Sequence, residues 1–325
     1  MRMGPMWRKI RRVVGWLLLV WLIASFLGSM AYNAVTAPAN LGPTEAGVPG
    51  EFVLVGNSLT HYEKAGAGDV AVVLLHGFAT WSFTWRPTLT ALGASGRFTA
   101  YAVDMRGFGF TERPGDALYN AEGYARHVEE FIDALGLEDP IIVGHSLGGD
   151  VALRVALARP GRVRGLVLVS AAVYLRVPWS ASALARMSFP PFHRTALRLT
   201  ASLFLNRALR EAYFDPGSAG LSEVEVNIRK PLQQAGAEDA FLAMARSRSD
   251  AVPSAAIRQL RVPTLVVWGE EDGIVPLADG RRLAQEVPGA KLVTYPRTGH
   301  IPQEEARERF ASDLIDFVAG VLPPA

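Results

Sequence analysis

Residues Gly144–Gly149 spell Gly-His-Ser-Leu-Gly-Gly and stand between an apolar run, Pro140–Val143, and an alanine-rich run, Asp150–Ala158. The apolar run predicts a buried strand and the alanine-rich run predicts a helix. A serine between two glycines at a strand-to-helix turn is the arrangement that exposes a nucleophilic hydroxyl at the end of a sheet. Glycine is needed on both sides because a Cβ there would crowd the neighbouring strand and helix. The turn therefore marks Ser146 as the candidate nucleophile.

A serine nucleophile requires a base, for which histidine is the usual residue. The chain contains six histidines, which are His61, His76, His127, His145, His193 and His300. His145 is adjacent to the serine, so its side chain leaves the turn in another direction, and His127 falls in a helical pattern and is expected on the helix surface. His300 stands on a loop after the apolar run Lys291–Tyr295, with a glycine before it and a proline two residues after it. This position predicts His300 as the base.

An acid must orient the histidine, and in chain order it is expected between the serine and the histidine. The apolar run Val262–Gly269 predicts another buried strand, and three carboxylates follow it, Glu270, Glu271 and Asp272. Asp272 is the strongest candidate because a short side chain before a glycine suits a tight turn that faces the site. The two glutamates are expected in solvent. An acid after the sixth strand is excluded, since the chain has no Asp or Glu from Val151 to Arg210.

Acyl transfer also requires two backbone N–H donors directed at the developing oxyanion. Leu147 directly follows the serine and opens a helix, so its N–H is the first candidate. The second is the N–H of Phe78, in a loop after the apolar run Val70–Leu75, where Gly77 permits a turn at no steric cost. His76, in the same loop, is expected to hydrogen-bond neighbouring loops and to transfer no proton.

The body of the chain alternates between strand and helix patterns. Strands are predicted near 52–55, 58–62, 71–75, 98–103, 140–144, 164–169, 263–268 and 290–295, of which the first two form a hairpin. Helices are predicted near 85–93, 121–135, 147–158, 277–286 and 304–320. This alternation predicts an α/β fold with a mostly parallel eight-stranded sheet and helices on both faces. Every candidate site residue then follows the carboxyl end of a strand, where such sheets bind ligands.

The candidate residues stand within a longer series of landmarks. In chain order these are His76-Gly77-Phe78, Asp104–Gly109, the serine turn, Gly269–Asp272 and Gly299-His300. In their order and spacing the chain resembles the α/β-hydrolase superfamily, in the branch of esterases, lipases, epoxide hydrolases, haloalkane dehalogenases and cofactor-free haloperoxidases. The resemblance runs from about Phe52 to Val321. It implies a core of residues 52–171 and 253–325, interrupted after the sixth strand by a helical lid of residues 172–252.

The resemblance also bears on the chemistry. Residues His76–Arg86 look most like the epoxide hydrolases and haloalkane dehalogenases, but those relatives use an aspartate nucleophile where this chain has Ser146. This difference argues against both activities. Asp104 and Arg106 are similar to the family's turn after the fourth strand and are expected to be structural.

The N-terminus has a pattern of its own. Residues 1–12 contain five cations and no acid, namely Arg2, Arg8, Lys9, Arg11 and Arg12. They precede Val13–Ala31, nineteen uncharged residues that as a helix approximately span a hydrocarbon core about 30 Å thick. We therefore expect a basic cytoplasmic arm (1–12), a transmembrane anchor (13–31) and a linker (36–51), with the body outside the cytoplasm. The alternative is a signal peptide cleaved at Ser29-Met30-Ala31, which releases the body as a secreted protein.

The composition restricts the partners and cofactors. The chain has 33 basic and 31 acidic residues, and without the five N-terminal cations the remainder carries a net charge of −3, which argues against binding to nucleic acid. It has no cysteine, and no His/Asp cluster has the spacing of metal ligands, so neither a metal nor another cofactor is expected. From Ala171 to Arg210 the predicted lid has six arginines, no acid and many apolar residues. This side of the lid either packs on the core and lines the pocket or also contacts an anionic membrane surface.

These observations predict a serine hydrolase that cleaves a carboxylic ester of a lipophilic small molecule through an acyl-enzyme. Ser146 attacks the carbonyl carbon, His300 transfers the proton, and Asp272 orients the histidine. The alternatives that use the same three residues are hydrolysis of a carbon–carbon bond and cofactor-free perhydrolysis. A third hypothesis is a non-catalytic member that binds a partner through its lid or surface.

Overall fold

The computed structural model describes residues 5–42, 44–45, 47–174, 192–217, 221–247 and 249–322. The first four residues of the predicted basic arm and residues 175–191 of the predicted lid lie outside the described residues. The described part contains a long N-terminal helix, one large sheet covered by helices, and further helices between the sixth and seventh strands.

Eight strands form one sheet. In chain order they are β1 (Glu51–Val55), β2 (Ser58–Ala65), β3 (Val70–Leu75), β4 (Phe98–Val103), β5 (Ile141–His145), β6 (Gly165–Val169), β7 (Thr264–Gly269) and β8 (Lys291–Tyr295). Their spatial order is β1-β2-β4-β3-β5-β6-β7-β8. β2 pairs antiparallel with β1 and β4, and all other neighbours pair in parallel. The predicted mostly parallel, eight-stranded sheet with a hairpin at its edge is confirmed.

Helices cover both faces of this sheet. In chain order the helices are α1 (Pro5–Val35), α2 (Arg86–Ala94), α3 (Ala121–Ala134), α4 (Leu147–Ala158), α5 (Phe192–Ala212), α6 (Leu221–Arg229), α7 (Ala237–Arg246), α8 (Ser254–Ile257), α9 (Leu277–Glu286), α10 (Pro302–Glu305) and α11 (Arg307–Gly320). Helices α3, α4 and α9 pack on one face, and α2 and α11 pack on the other. Short 3-10 helices, Ser82–Trp85 and Lys230–Gln233, precede α2 and follow α6.

The central strands are apolar on both sides because helices cover both sides. In β3, Val73 and Leu75 pack beneath α3 and α4, whereas Val72 and Leu74 pack beneath α2 and α11. All four side chains are fully buried. Successive side chains of a strand point to opposite faces, so a strand buried on both faces requires a continuous apolar run.

The helical insertion (residues 192–217 and 221–247) lies between β6 and β7 and contains α5, α6 and α7. It has an apolar cluster of its own, which includes Leu205, Leu209, Val224, Ile228 and Ile301. Ile301 comes from the loop after β8, directly beside His300, so the insertion packs against the loop that carries the candidate base. A helical segment after the sixth strand agrees with the predicted position of the lid, while its action as a lid stays a prediction.

The N-terminal helix α1 has 31 residues. Its stretch Val13–Val35 is the one part of the described chain that is long and apolar enough to cross a membrane as a helix. The large apolar side chains of this stretch are mostly exposed. After α1, the segment predicted as a linker attaches to the insertion, since Leu41 accepts an N–H bond from Ala235 at 2.9 Å and donates one to Gln233 at 3.0 Å.

One histidine lies where the sequence did not predict it. His127 is fully buried in α3, not on the helix surface, so that prediction was wrong. Its Nε2 lies 2.8 Å from the hydroxyl of Thr60 in β2, and its Nδ1 accepts the N–H of Arg106 at 3.3 Å. The buried face of α3 is wider than its apolar pattern indicates because the strand and the turn opposite supply polar partners.

Candidate active site

Ser146 lies in the tight turn between β5 and α4, and its backbone is strained. Its φ of 53° and ψ of −116° lie outside the regions that L residues ordinarily adopt. Glycines make this turn possible. A Cβ on Gly144 would lie 2.1 Å from the carbonyl oxygen of Gly148, and a Cβ on Gly148 would lie 2.4 Å from that of Leu75. The strand and the helix therefore approach too closely for larger residues, and the turn holds Ser146 at the carboxyl edge of the sheet.

His300 and Asp272 are hydrogen-bonded to each other at the same edge of the sheet. The ring nitrogen Nδ1 of His300 lies 2.8 Å from Oδ2 of Asp272. The other oxygen of the carboxylate accepts the N–H groups of Ile274 and Val275, at 2.9 and 2.8 Å. The two glutamates before Asp272 are exposed. Because the fixed carboxylate accepts a hydrogen bond from Nδ1–H, the proton stays on Nδ1 and Nε2 is the ring nitrogen that remains free to accept a proton.

The loops that carry these two residues meet at a glycine. A Cβ on Gly269, at the end of β7, would lie 2.0 Å from the carbonyl oxygen of Gly299. β7 and β8 are neighbouring parallel strands in which Gly269 is paired with Tyr295. Their carboxyl ends therefore open at the same place, and this brings Asp272 and His300 together although they are 28 positions apart.

His300 approaches the serine turn through His145. The two imidazole rings lie 4.8 Å apart between their centroids, and Nε2 of His145 donates to the carbonyl oxygen of His300 at 2.8 Å. Within the part of the chain that the structure describes, the hydroxyl of Ser146 has no hydrogen-bond partner. The structure thus places His300 against the residue next to the serine, without a hydrogen bond between the hydroxyl and the imidazole.

His145 has a positioning role that the sequence did not reveal. Its burial, together with the charge that His300 can carry, lowers the pKa of His145 well below the usual range. A neutral His145 with its proton on Nε2 makes the observed bond to the backbone of His300, while its Nδ1 has no partner among the described residues. The one available signal was the place of His145 directly before the candidate nucleophile.

The two candidate oxyanion donors flank the serine. Leu147 is the first residue of α4, and a helix leaves the N–H groups of its first turn without intrahelical acceptors. Phe78 follows Gly77, on which a Cβ would lie 3.2 Å from the Cβ of Ser146. The loop after β3 therefore passes directly beside the nucleophile. The role of these two N–H groups as oxyanion donors stays a prediction.

His76 holds this loop in place. Its Nδ1 donates to the carbonyl oxygen of Gly77 at 2.8 Å, and its Nε2 accepts the N–H of Met105 at 3.0 Å. Burial lowers the pKa of His76, which favours the neutral ring that these two bonds require. The expectation that His76 binds neighbouring loops is confirmed.

Asp104 forms a buried ion pair with His61 and supports the loops near the candidate site. Its carboxylate accepts the N–H groups of Ser82 at 2.7 Å and Phe110 at 2.9 Å, and it lies 2.8 Å from Nδ1 of His61. Burial opposes the charge of both partners, but their mutual attraction and hydrogen bond outweigh it. The pKa of Asp104 is therefore lowered and the pKa of His61 is raised. This pair joins β2 to the turn after β4, as expected for a structural residue.

The surface beside the candidate oxyanion loop is aromatic. The ring of Phe78 lies 6.1 Å from that of Phe108 and 6.0 Å from that of Phe241, between centroids. Phe241 belongs to α7, so the insertion reaches this loop. Phe78 is nonetheless exposed. The site therefore has an accessible apolar wall, of the kind that binds hydrophobic parts of small molecules.

Comparison with known proteins identifies the family. Residues 70–307 match the family model of the alpha/beta hydrolase fold. The chain belongs to the α/β-hydrolase family. It is 32% identical to the 2-hydroxymuconate semialdehyde hydrolase of Pseudomonas putida over 284 residues, which cover 85% of this chain and 96% of that protein. Such relatives and the family model together identify this α/β-hydrolase as an enzyme that hydrolyses its substrate.

Two solved structures extend the comparison of this α/β-hydrolase. The meta-cleavage product hydrolase from Pseudomonas fluorescens IP01 has a TM-score of 0.70 and 28% identity, covering 84% of this chain and 98% of that one. A membrane phospholipase A has a TM-score of 0.69 at 23% identity, covering 96% of this chain and 98% of that one. The second likeness shows a shared fold alone.

Proposed function

We propose that this hydrolase cleaves a bond beside a carbonyl carbon, with Ser146 as nucleophile, His300 as general base and acid, and Asp272 as the orienting acid. The observation that carries the proposal is the hydrogen bond between His300 and Asp272 beside the strained serine turn, at 2.8 Å. A carboxylate on Nδ1 selects the tautomer whose Nε2 can take a proton, and it stabilises the imidazolium that then forms.

The reaction proceeds in two halves. The hydroxyl oxygen of Ser146 bonds to the carbonyl carbon while Nε2 of His300 takes its proton, and the N–H groups of Phe78 and Leu147 donate to the resulting oxyanion. The tetrahedral intermediate then breaks its bond to the leaving group, which receives the proton from His300. Water attacks the acyl-enzyme by the same route, releases an acid and restores the serine.

The names of the relatives favour a reaction in which the bond that is cleaved joins the carbonyl carbon to another carbon atom. The Pseudomonas putida relative is named a 2-hydroxymuconate semialdehyde hydrolase, and the Pseudomonas fluorescens structure is a meta-cleavage product hydrolase. These names support hydrolysis of a carbon–carbon bond better than hydrolysis of an ester. In that reaction the departing carbon takes the bonding electron pair and then the proton held by His300. This reaction requires a leaving carbon that is stabilised as an enolate, as it is in a conjugated ketone.

A lipophilic ester is the second candidate because of the apolar wall at Phe78, Phe108 and Phe241. An exposed aromatic surface beside the oxyanion loop suits an acyl chain as well as a conjugated ketone. An ester differs only in its leaving atom, since the alkoxide oxygen takes the electron pair and the proton. The wall therefore supports a lipophilic substrate in either reaction.

We also propose that α1 is retained as a membrane anchor, with the body outside the cytoplasm. The cations before Val13 favour a cytoplasmic N-terminus. Removal of a signal peptide at Ala31 would cut α1 between Ser29 and Asn33, which both contact the insertion through hydrogen bonds to Thr195. These contacts support a helix that stays attached to the body.

The choice of leaving group is tested with purified full-length protein in detergent micelles. The values of kcat/KM are compared for a conjugated 2-hydroxy-6-ketodienoate, for p-nitrophenyl esters of increasing acyl length, and for acetate with hydrogen peroxide. We expect the conjugated ketone to have the largest value, and Ser146→Ala to lower it by at least about 10³-fold. If a long-chain ester has the larger kcat/KM, ester hydrolysis replaces carbon–carbon bond hydrolysis as the proposed reaction. Full activity of Ser146→Ala, or turnover of none of these substrates, contradicts the proposed function.

A further inference from the structure

Helix α5 of the insertion runs beside the last turns of α1. The rings of Phe26 and Phe192 lie 6.3 Å apart between centroids, and the hydroxyls of Ser29 and Thr195 are hydrogen-bonded. Both contacts join residues that are 166 positions apart. Because the difference in residue number is the same for both contacts, the two helices run parallel over this stretch, and equal steps along each helix bring neighbouring residues together.

The arginines near this contact are paired within the protein. Arg198 donates to the carbonyl oxygen of Asn33 near the end of α1, and its guanidinium lies 2.7 Å from the carboxylate of Glu238. Arg194 lies 2.6 Å from the carboxylate of Asp239. Pairing of this kind, with long side chains that can extend towards water, allows a basic helix to lie near an apolar phase.

The outward face of α5 is apolar for three turns. Phe192, Ala196, Leu199 and Leu203 recur at intervals of three or four residues and form one line, here named the α5 stripe. All four residues are exposed, Leu199 at 58% and Leu203 at 73%. The next residue along the same line is Arg207, which is charged and also exposed. The stripe thus changes from apolar to charged between Leu203 and Arg207.

Comparison with the neighbouring helix α1 shows at what height the α5 stripe changes from apolar to charged residues. The difference of 166 in residue number places Phe192 beside Phe26. At 1.5 Å per residue, Phe26 lies roughly 14 Å before the end of the apolar stretch Val13–Val35, and Phe192 lies at the same height. Leu203 falls about one half-turn beyond the end of that stretch, and Arg207 falls more than a turn further. The apolar part of the stripe therefore ends where the membrane-crossing part of α1 ends.

We propose that the α5 stripe contacts the lipid bilayer, with its first two turns beside α1 at the level of the acyl chains and its end at the headgroups. The proposal rests on the membrane anchoring proposed above. The exposed apolar side chains of α1 and the α5 stripe meet at Phe26 and Phe192, whose rings are in contact. A hydrogen bond between hydroxyls, as in Ser29 and Thr195, is also a common link between helices within a bilayer.

The far end of α5 holds the candidate base. The carbonyl oxygen of Ala212 accepts the N–H of His300 at 2.6 Å. The carboxylate of Glu305 accepts the N–H groups of Gly299 at 2.8 Å and Phe214 at 2.7 Å. One helix of about 30 Å therefore joins the bilayer to the loop of His300. This position suits a lipophilic carbonyl compound that partitions into the membrane.

The absence of cysteine from the chain allows a direct test by single labels. Leu199→Cys and Leu203→Cys are each labelled with an environment-sensitive nitrobenzoxadiazole dye and reconstituted in vesicles of phosphatidylethanolamine and phosphatidylglycerol. Leu54→Cys is the matched control, since this leucine of β1 is 65% exposed on the body. Leu17→Cys, in the apolar stretch of α1, is the reference for contact with lipid. Phospholipids with a nitroxide on the acyl chain serve as quenchers.

We expect the emission of the dye at residues 199 and 17 to be shifted to the blue relative to residue 54, and its quenching by the acyl-chain nitroxide to be at least about twofold stronger. Labels at 199 and 203 that behave like the label at 54 overturn the proposal. A blue shift without quenching by lipid also overturns it, because a second protein copy then covers the stripe. An unquenched label at 17 removes the anchor and the proposal with it. The labels report position only, so failure of the substrate assays leaves this result unaffected.

Discussion

The buried histidines around the site differ in charge because they face different partners. His61 faces the carboxylate of Asp104, and its pKa is raised. His76, His127 and His145 face backbone groups or a hydroxyl, and burial lowers the pKa of each. A histidine that is buried in the neutral form gains a proton on unfolding in acid, so it favours the unfolded state below its ordinary pKa.

His127 provides a test of this difference. Burial lowers its pKa to about 3, from an ordinary value of 6.5. Because the folded pKa is depressed, its contribution to stability is present above pH 6.5 and is lost as the pH falls towards 3. Between pH 7 and 4.5 we expect the free energy of unfolding to fall by about 3 kcal/mol less in His127→Gln than in the wild type. Urea unfolding in detergent micelles at a series of pH values measures this difference.

Thr60→Val is the matched control for that measurement. It removes the hydrogen bond to Nε2 of His127 but keeps the imidazole that titrates. We expect this variant to be less stable at pH 7, by about 1 kcal/mol, and to keep the acid dependence of the wild type. An unchanged acid dependence in His127→Gln would show that the imidazole is accessible to protons in the folded state.

For single residues, the sequence predicted which strands the candidate site residues follow, but it did not predict all hydrogen-bond partners of the buried histidines. Ser146, Asp272 and His300 each follow a strand, and the common edge of a parallel sheet was enough to predict that they lie near one another. The burial of His127 depends on Thr60 in β2, and the bond of His145 depends on the backbone of His300. No local pattern contains these partners, so sequence reasoning missed both.

Among the elements, the contact of α4 with β3 is the one on which the serine turn depends. A Cβ on Gly148 would lie 2.4 Å from the carbonyl oxygen of Leu75 and 2.6 Å from that of His76, and both are backbone atoms that cannot rotate away. We expect Gly148→Ala to lower the free energy of unfolding by about 1 to 3 kcal/mol, measured by urea unfolding in detergent micelles. Gly115→Ala is the control, because nothing lies within 4 Å of a Cβ there. Equal midpoints for the two variants would contradict the close approach of α4.

The strands and most helices of the core were predicted from periodicity because burial on both faces of the sheet leaves a strong apolar signal. The C-terminal helix predicted near 304–320 is two helices, α10 and α11, since the backbone of Ala306 leaves the helical region with φ −118° and ψ 45°. The short helix α10, before the break, is held by hydrogen bonds to other parts of the fold. Glu304 accepts the hydroxyl of Thr84 at 2.6 Å, and Glu305 accepts the N–H of Gly299. These tertiary bonds have no counterpart in the helical pattern.

Over the whole molecule, α5 connects the N-terminal helix to the loop of the candidate base. The sequence predicted a helical segment after the sixth strand, and its unusual lack of acids left packing on the core and contact with a membrane open. It could not predict that Phe192 contacts Phe26, because that contact joins residues 166 positions apart, outside the common core of the family. The attachment of Leu41 to Gln233 and Ala235 was not expected for the same reason, since these partners also lie far apart in the sequence.

The central claim is that Ser146 is a nucleophile activated by His300. The most direct measurement is the site of reaction with a fluorophosphonate, which bonds covalently to an activated serine, read by intact mass and peptide mapping of the full-length protein. We predict a single adduct on the peptide that contains Ser146. We also predict labelling of Asp272→Asn that is slower by roughly 10³- to 10⁴-fold, and no adduct on Ser146→Ala with an unchanged urea midpoint. An adduct on another residue, or an equal adduct on a folded Ser146→Ala protein, would contradict the claim.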